Sequence, residues 1–508
     1  MKLVVKLVAV VGGVITALLA LAVFAAWMMV PMNAPWTSML QQMSALPAWL
    51  EPSPMTSARV ENQLSAADGY GVSLFATEIS DARVLRITAA GDVLVSSPGD
   101  GWVVRLDADR DGDGESDGRE VLLDGLTRPN GLDIANGYLY IAEEDGIGRV
   151  AFDSHTGDTA GDYVRIIEGL PPGGNHWKKT VRVGPDGLLY VAIGSSCNVC
   201  IEDDPRRAAI LRYTTEGEFL DLFATGLRNS AGFDWSPATG TMYATDNGRD
   251  LLGDDFPPCE LNAVVEGGFY GWPFANGAKL PDPDMGEGQD DVIASSIAPA
   301  HGFRAHNAPL GIVFLRHDNH PRDYRGAAIV ALHGSWNRTK KDGYKVVSLH
   351  FADDGSIEER DFLTGFLTDD VAIGRPTEVA EGPDGSVYIS DDLGRAIYRV
   401  EYGASGSASI PGSTRLPSEG YDPTSVSAAE RASAMTVGPG ILANEACLVC
   451  HGESAATDAA QIPLVDLGMR YTIGELVEYL AAPRPPMPPF DADAERRRAL
   501  AIYLLETY

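Results

Sequence analysis

The sequence predicts an all-β six-bladed propeller, followed by a small all-α domain and preceded by a transmembrane helix. Three observations predict this order: a strand-and-turn pattern that recurs six times, a Cys447-Leu448-Val449-Cys450-His451 motif near the C-terminus, and an apolar run at the N-terminus.

The N-terminal run comes first. Lys2 and Lys6 precede an uncharged stretch whose apolar core, 7–30, is 24 residues long. At about 1.5 Å per residue this crosses a hydrocarbon layer of roughly 30 Å. The two lysines predict that they stay inside and the rest lies outside. Residues 1–31 therefore read as an anchor, single-pass in the inner (cytoplasmic) membrane, with the bulk of the chain in the periplasm. A cleaved signal peptide ending near Ala25 and Ala26 is the alternative, although its apolar region is ordinarily about 7–15 residues. Residues 32–56 read as a stalk.

The repeat occupies residues 57–402. A Gly-containing turn precedes an apolar strand core at Val93, Tyr140, Tyr190, Tyr243, Val330 and Tyr388. The spacings are 47, 50, 53, 87 and 58 residues. Short strands recurring at about 50 residues with Gly-rich turns mean a propeller of six blades rather than a pair of sandwiches. The 87-residue spacing predicts a large, mostly loop insertion, containing Gly267-Gly268-Phe269-Tyr270-Gly271-Trp272-Pro273. After Glu401 the composition turns to Gly, Ser and Pro, so 403–434 reads as a flexible linker.

Residues 435–508 form the last domain. In C-x-x-C-H the two thiols add across the vinyl groups of a haem and the imidazole ligates its iron. Cys447, Cys450 and His451 thus predict a covalent haem c and a cytochrome c domain. Met487, set among Pro485, Pro486, Pro488 and Pro489, is the expected sixth ligand, because prolines fix an extended loop that can hold a thioether over the iron. Met469 is the competitor. A final amphipathic helix carries Leu500, Tyr503 and Leu504 on one face.

Charge and cysteines narrow the classes. The net charge is −32, which argues against nucleic acid as a partner. Cys197-Asn198-Val199-Cys200 lacks a following His and reads as a local disulfide in an exported protein. Cys259 reads as a free thiol. Asp107 to Glu115 mimics the start of an EF-hand loop, but position twelve is Gly118 instead of Glu, so it reads as a surface turn, with weak Ca²⁺ binding as the alternative.

Three loop clusters carry candidate chemistry. The first, 173–179, holds His176, a candidate general base. The second holds Arg228 and Asn229, then Asn247, Gly248, Arg249 and Asp250. Asp254, Asp255, Glu260 and Asn262 follow closely, a density of hard oxygen donors that suits Ca²⁺ or a solvated acidic loop. The third holds Trp336, Asn337 and Arg338, with Arg375 in the next blade.

In order and number these clusters resemble the soluble quinoprotein sugar dehydrogenases, specifically their sorbosone and pyranose dehydrogenase branch. The resemblance covers about 57–402. It rests on Asn175-His176, Gly226-Leu227-Arg228-Asn229, His306 to Gly311, His333 to Arg338, and Asp391-Asp392. It implies pyrroloquinoline quinone (PQQ) over the channel, with Ca²⁺ bridging it to the carbonyls of Gly248 and Arg249. His176 would take the substrate proton while hydride moves to the quinone. Arg228 would polarise the accepting carbonyl, with Asn229 beside it. Trp336 and Asn337 would lie against the cofactor, and Arg338 and Arg375 would pair with its carboxylates. The family's R-x-R is here Arg375-Pro376-Thr377, which puts one carboxylate contact in doubt. An acid common in relatives is here Cys259.

The expectation is a membrane-anchored quinohaemoprotein. It oxidises a sugar or sugar-derived aldehyde and passes electrons through its haem to a membrane quinone or another cytochrome. The rivals are a binding or sensing propeller tethered to an electron carrier, and a Ca²⁺-dependent lactonase-like hydrolase.

Overall fold

The computed structural model describes residues 54–403 apart from 353, and further on residues 425–444, 467, 473–481, 490 and 492–507. The chain divides into two compact units, Met1–Ala408 and Ser409–Tyr508. The expected anchor, most of the stalk and linker, the haem motif, Met469 and Met487 lie outside the described residues. No helix among the described residues is long and apolar enough to cross a membrane.

The first unit is a six-bladed propeller: six sheets of four or five strands succeed one another along the chain. The six positions aligned in the sequence all fall on the second strand of a blade. Those strands are Val93–Ser97, Tyr138–Ala142, Leu189–Ile193, Met242–Asp246, Ala328–Leu332 and Val387–Asp391. Four of them are buried at every residue. A strand covered on both faces must be apolar throughout, which is why it stands out in the sequence. Outer strands such as Arg119–Leu123 are largely exposed. Each hydrophobic cluster of the ring joins two neighbouring blades, as where Tyr140 and Ile147 meet Val191 and Leu211. Truncating such a residue to Ala costs roughly 2–5 kcal/mol.

The ring is closed by the N-terminal strand Tyr70–Thr77, which supplies the fourth strand of blade 6 by pairing with Ala396–Tyr402. Sequence periodicity gave no sign of this partner. A buried relay reinforces the closure: the Tyr70 hydroxyl lies 3.0 Å from His320 Nδ1, and His320 Nε2 lies 2.8 Å from Glu381. Ahead of it, Thr56 caps the helix Ser57–Gln63 through a bond from Arg59 N. Ser65–Ala66 then adds an edge to blade 5.

The long insertion is more ordered than expected. It leaves blade 4 after Cys259–Val264 and re-enters at His301–Phe303. Between them Gly268–Phe269 pairs in parallel with Phe219–Thr225 of blade 3, and Asp290–Ser295 is helical. Cys197 and Cys200 are disulfide-bonded, and Cys259 is free and buried. The acidic turn at 107–118 is an exposed surface turn whose Asp109 pairs with Arg399.

The innermost strands are Leu85–Ile87, Leu132–Ala135, Lys179–Val183, Phe233–Trp235, Pro309–Phe314 and Pro376–Glu381. Around the axis one charged residue from each blade alternates in sign with the next: Arg86, Asp133, Arg182, Asp234, Arg316 just beyond its strand, and Glu378; Lys179 and Glu381, at strand ends, bond elsewhere. Arg86 and Arg182 both bond Asp133, at 3.2 and 3.3 Å, and Arg182 and Arg316 both bond Asp234, at 3.4 and 2.9 Å. Asp133 also accepts from Val183 N and Asp234 from Phe314 N, each in the next blade.

The second unit is helical where it is described. Ala428–Asn444 begins inside the stretch read as linker, because an Ala-rich run favours helix despite Pro439. It packs on Ala494–Thr507, the expected final helix, and Leu500 and Leu504 are buried as predicted. A Cβ at Gly438 would collide with Tyr503, so glycine sets how closely the helices approach. Arg498–Glu430 and Arg431–Glu506 flank the contact, at 2.7 and 2.9 Å.

Candidate active site

A cavity of about 390 Å³ opens at the rim where innermost strands begin and second strands end. All six blades reach it: Arg83, Asn130, His176, Asn229, Leu310 and Arg375 each stand at or just before an innermost strand. Asn247, His333 and Asp392 follow second strands. Its volume suits a small-molecule ligand.

His176 sits in the wall with its protonation fixed by Ser195. Nδ1 lies 3.1 Å from the Ser195 carbonyl and 2.9 Å from its Oγ, which itself donates to the Cys197 carbonyl. A carbonyl only accepts, so Nδ1 carries the hydrogen and Nε2 the lone pair. Nε2 has no hydrogen-bond partner among the described residues. Burial, then the charge of Arg228, lowers the imidazole pKa to about 3. Gly194 lets this arrangement form, since a Cβ there would collide with His176 Cβ and Asn229 Oδ1.

Across the cavity stands a cationic group that sequence reasoning did not assemble. Arg83 pairs with Asp392 at 2.6 Å. His333 links Asp392 to Arg375: Arg375 Nη2 donates to Nδ1 at 3.0 Å, and Nε2 bonds Asp392 at 3.0 Å. Burial pushes the Asp392 carboxyl up, and His333, Arg83 and Arg375 outweigh it, holding it well below the usual range. Burial and then Arg375 lower His333 to about 4, so it is neutral. Lys178 also lines the cavity, over the Trp177 ring. The charge of Arg83, then burial, lowers its pKa to about 7. Glu378 is raised by burial against the pull of Arg86. Arg83, Lys178 and Arg375 thus face two acids, Asp392 and Glu378, in the cavity wall.

Of the expected residues, His176, Asn229, Trp336 and Arg375 line the cavity. Arg228 stands behind it, bonded to Asn198, Asn247 and Asp250. Asn337 is buried against Asp250 and His306. Arg338 is held by Asp255 at 3.0 Å, and Arg249 by Asp282 and Asp284. Gly248 and Arg249 follow Asn247 of the cavity wall, and neither carbonyl accepts a hydrogen bond among the described residues. Cys447, Cys450, His451 and Met487 lie outside the described residues. The sequence signal for Arg83 and Lys178 was only their place before an innermost strand.

Comparison with known proteins follows the same boundaries. A family model described as TrAA12-like matches residues 64–257 and 274–402. An uncharacterised protein of Borreliella burgdorferi is 34% identical over 297 residues, covering 54% of this chain and 76% of that protein. One of Synechocystis sp. is 26% identical over 274 residues, 48% of this chain and 60% of that protein. Among solved structures, the calcium structure of the Trichoderma reesei Carbohydrate-Active Enzymes Family AA12 protein superposes with a TM-score of 0.57. It is 22% identical, over 70% of this chain and 98% of that one. The holo PQQ domain of pyranose dehydrogenase from Coprinopsis cinerea gives 0.58 at 19% identity, over 67% and 97%. The soluble aldose sugar dehydrogenase of Escherichia coli gives 0.51 at 17%, over 66% and 99%. These superpositions show a shared propeller fold.

Proposed function

The chain belongs to the TrAA12-like family, and from that premise we propose that its propeller is a PQQ-dependent dehydrogenase of sugars or sugar-derived aldehydes, wired to a covalent haem c. One observation carries the reading: a neutral His176 with an uncommitted Nε2 shares a cavity with Arg83, Lys178 and Arg375. A base beside a cationic wall suits an alcohol or hydrate substrate next to a polyanionic redox cofactor. The printed description of the Coprinopsis cinerea relative, a PQQ domain, supports the choice of cofactor.

The donor set fits such a group. Arg83, Lys178 and Arg375 would hold its carboxylates, replacing the missing second arginine after Arg375. Asn229 and Trp336 would flank its ring. The free carbonyls of Gly248 and Arg249 would supply hard oxygen donors for Ca²⁺. When bound, the quinone supplies a two-electron acceptor for hydride.

The chain does the rest. His176 Nε2 takes the hydroxyl proton of a sugar hemiacetal or an aldehyde hydrate as hydride leaves the same carbon. Ser195 holds the imidazole in the tautomer that permits this. Burial, aided by the charge of Arg228 behind it, keeps the base unprotonated before substrate binds. Cys447 and Cys450 would attach a haem c and His451 and Met487 would ligate its iron, which would supply a one-electron exit toward a membrane quinone or another cytochrome. The anchor at 1–31 keeps it at the periplasmic face of the inner membrane.

Full-length protein loaded with PQQ and Ca²⁺ should reduce its own haem when an aldose is added. His176→Ala should slow that reduction by roughly 10²–10⁴ and leave the haem spectrum intact. Failure of the loaded wild type across a panel of aldoses and aldehydes overturns the reading.

A further inference from the structure

The disulfide ring 197–200 lies outside the cavity wall, yet it bonds Arg228 and also Ser195, which in turn holds His176. We propose that this ring is the positioning element of the site, acting through Ser195 to fix the tautomer of His176 and through Asn198 to hold Arg228 out of the cavity. The inference rests on the reading of His176 as the base.

The hydrogen bonds are directional. Ser195 is fully buried, and its Oγ donates to the Cys197 carbonyl at 2.8 Å. Its hydrogen thus spent, Oγ offers His176 Nδ1 only a lone pair at 2.9 Å. If the Cys197 carbonyl moved away, Oγ could turn its hydrogen toward Nδ1, and only the Ser195 carbonyl at 3.1 Å would still favour a hydrogen there. The lone pair at Nε2 would then be held less firmly, by one acceptor instead of two.

Asn198 uses its polar groups on the other side. Its carbonyl accepts from Arg228 Nε at 2.9 Å. Its Oδ1 accepts from Arg228 Nη2 at 2.9 Å and from Asp250 N at 2.8 Å, while Nδ2 donates to the Asp250 carbonyl at 3.1 Å. Arg228 Nη2 also bonds Asp250 Oδ2 at 3.0 Å. The guanidinium is thereby tied behind His176. Ser195 N donates to the Arg228 carbonyl at 2.8 Å, so the two halves of the device share a strut. Glu202 braces the ring from outside, accepting from Ser196 N and Oγ.

The covalent closure matters because the segment has no strand pairing of its own: it follows Leu189–Ile193 and precedes Ala209–Tyr213. Without the bond the four residues regain backbone freedom, which competes with the few hydrogen bonds that aim the Cys197 and Asn198 carbonyls. Reduction is defined chemically. A dithiol gives two electrons and two protons, the S–S bond breaks into two thiols, and the dithiol closes to its own disulfide.

The test uses the full chain, without added cofactor and labelled with ¹⁵N-histidine, with His176 signals assigned by their loss in His176→Gln. The oxidised protein should show one protonated Nδ1 and one unprotonated Nε2 resonance. Dithiothreitol, with reduction verified by thiol titration, should draw the two resonances toward each other, and reoxidation should separate them again at unchanged circular dichroism. Asn198→Ala should shift the pH at which His176 protonates, and Asn198→Asp, which keeps the acceptor, should return it toward wild type. Reduced protein with unaltered resonances, or an Asn198→Ala protein titrating as wild type, overturns the proposal. A quinone-loaded wild type with the expected resonances but no sugar oxidation would instead sink the reading of the site as a dehydrogenase.

Discussion

Arg83 and Asp392 form a 2.6 Å ion pair that joins the start of blade 1 to the end of a blade 6 strand across the cavity rim. Asp392 also bonds His333 of blade 5, which receives a hydrogen bond from Arg375. One carboxylate thus fixes two of the three cations proposed to hold the cofactor. Arg83→Met should weaken PQQ binding at least about tenfold, since a hydrogen bond to a charged group is worth roughly 1.5–3 kcal/mol. Titration of ligand absorbance against the full chain measures it.

Lys178 titrates near pH 7 because Arg83 lies beside it. It is a cation below that pH and neutral above it. PQQ affinity should therefore fall as pH rises through about 7. Lys178→Met should bind more weakly at pH 6 and lose much of that pH dependence. Binding isotherms at several pH values check both.

His176→Ala should lower turnover by roughly 10²–10⁴, the usual range for a general base. PQQ affinity should change little, because Arg83 and Arg375 stand on other blades and Lys178 is left in place. Steady-state rates on loaded protein, beside the binding titration, separate the two effects.

His176 and His333 resist protonation in the fold, at about 3 and about 4, whereas an unfolded histidine titrates near 6.5. Below about 6.5 the unfolded chain binds protons that the folded chain refuses. Stability from these two groups is complete above that pH and is lost as pH falls toward 4. Replacing either with Gln should flatten the fall of Tm between pH 7 and 5 relative to wild type.

Tyr70→Phe should cost roughly 1–3 kcal/mol, because it leaves buried His320 Nδ1 without its partner. The ring closes at this strand, so the loss should appear as a lower denaturant midpoint.

The ring was legible where chemistry is local. The second strands are buried on both faces, so their apolar cores at Val93 through Tyr388 announced six blades. The Cys197–Cys200 disulfide was legible from its spacing, and His176 from its loop. The closing strand Tyr70–Thr77 was not, since its partner lies more than 300 residues away and any edge of similar pattern would serve. Arg83 escaped notice because only the ring brings blade 1 beside blades 5 and 6. The reverse holds for Arg338: its charge suggested a cofactor contact, but Asp255 pairs with it in the fold.

The alternating charges around the axis carry a consequence about parity. Arg86, Asp133, Arg182, Asp234, Arg316 and Glu378 take turns in sign, and a closed circle of two alternating signs needs an even number of members. Losing or duplicating one blade would set two like charges side by side around the axis, where all but Arg316 are buried or half-buried and repulsion is poorly screened. An ancestor changing its blade count one repeat at a time would meet that penalty at every odd number. This lining therefore guards the number six independently of how well the blades themselves pack.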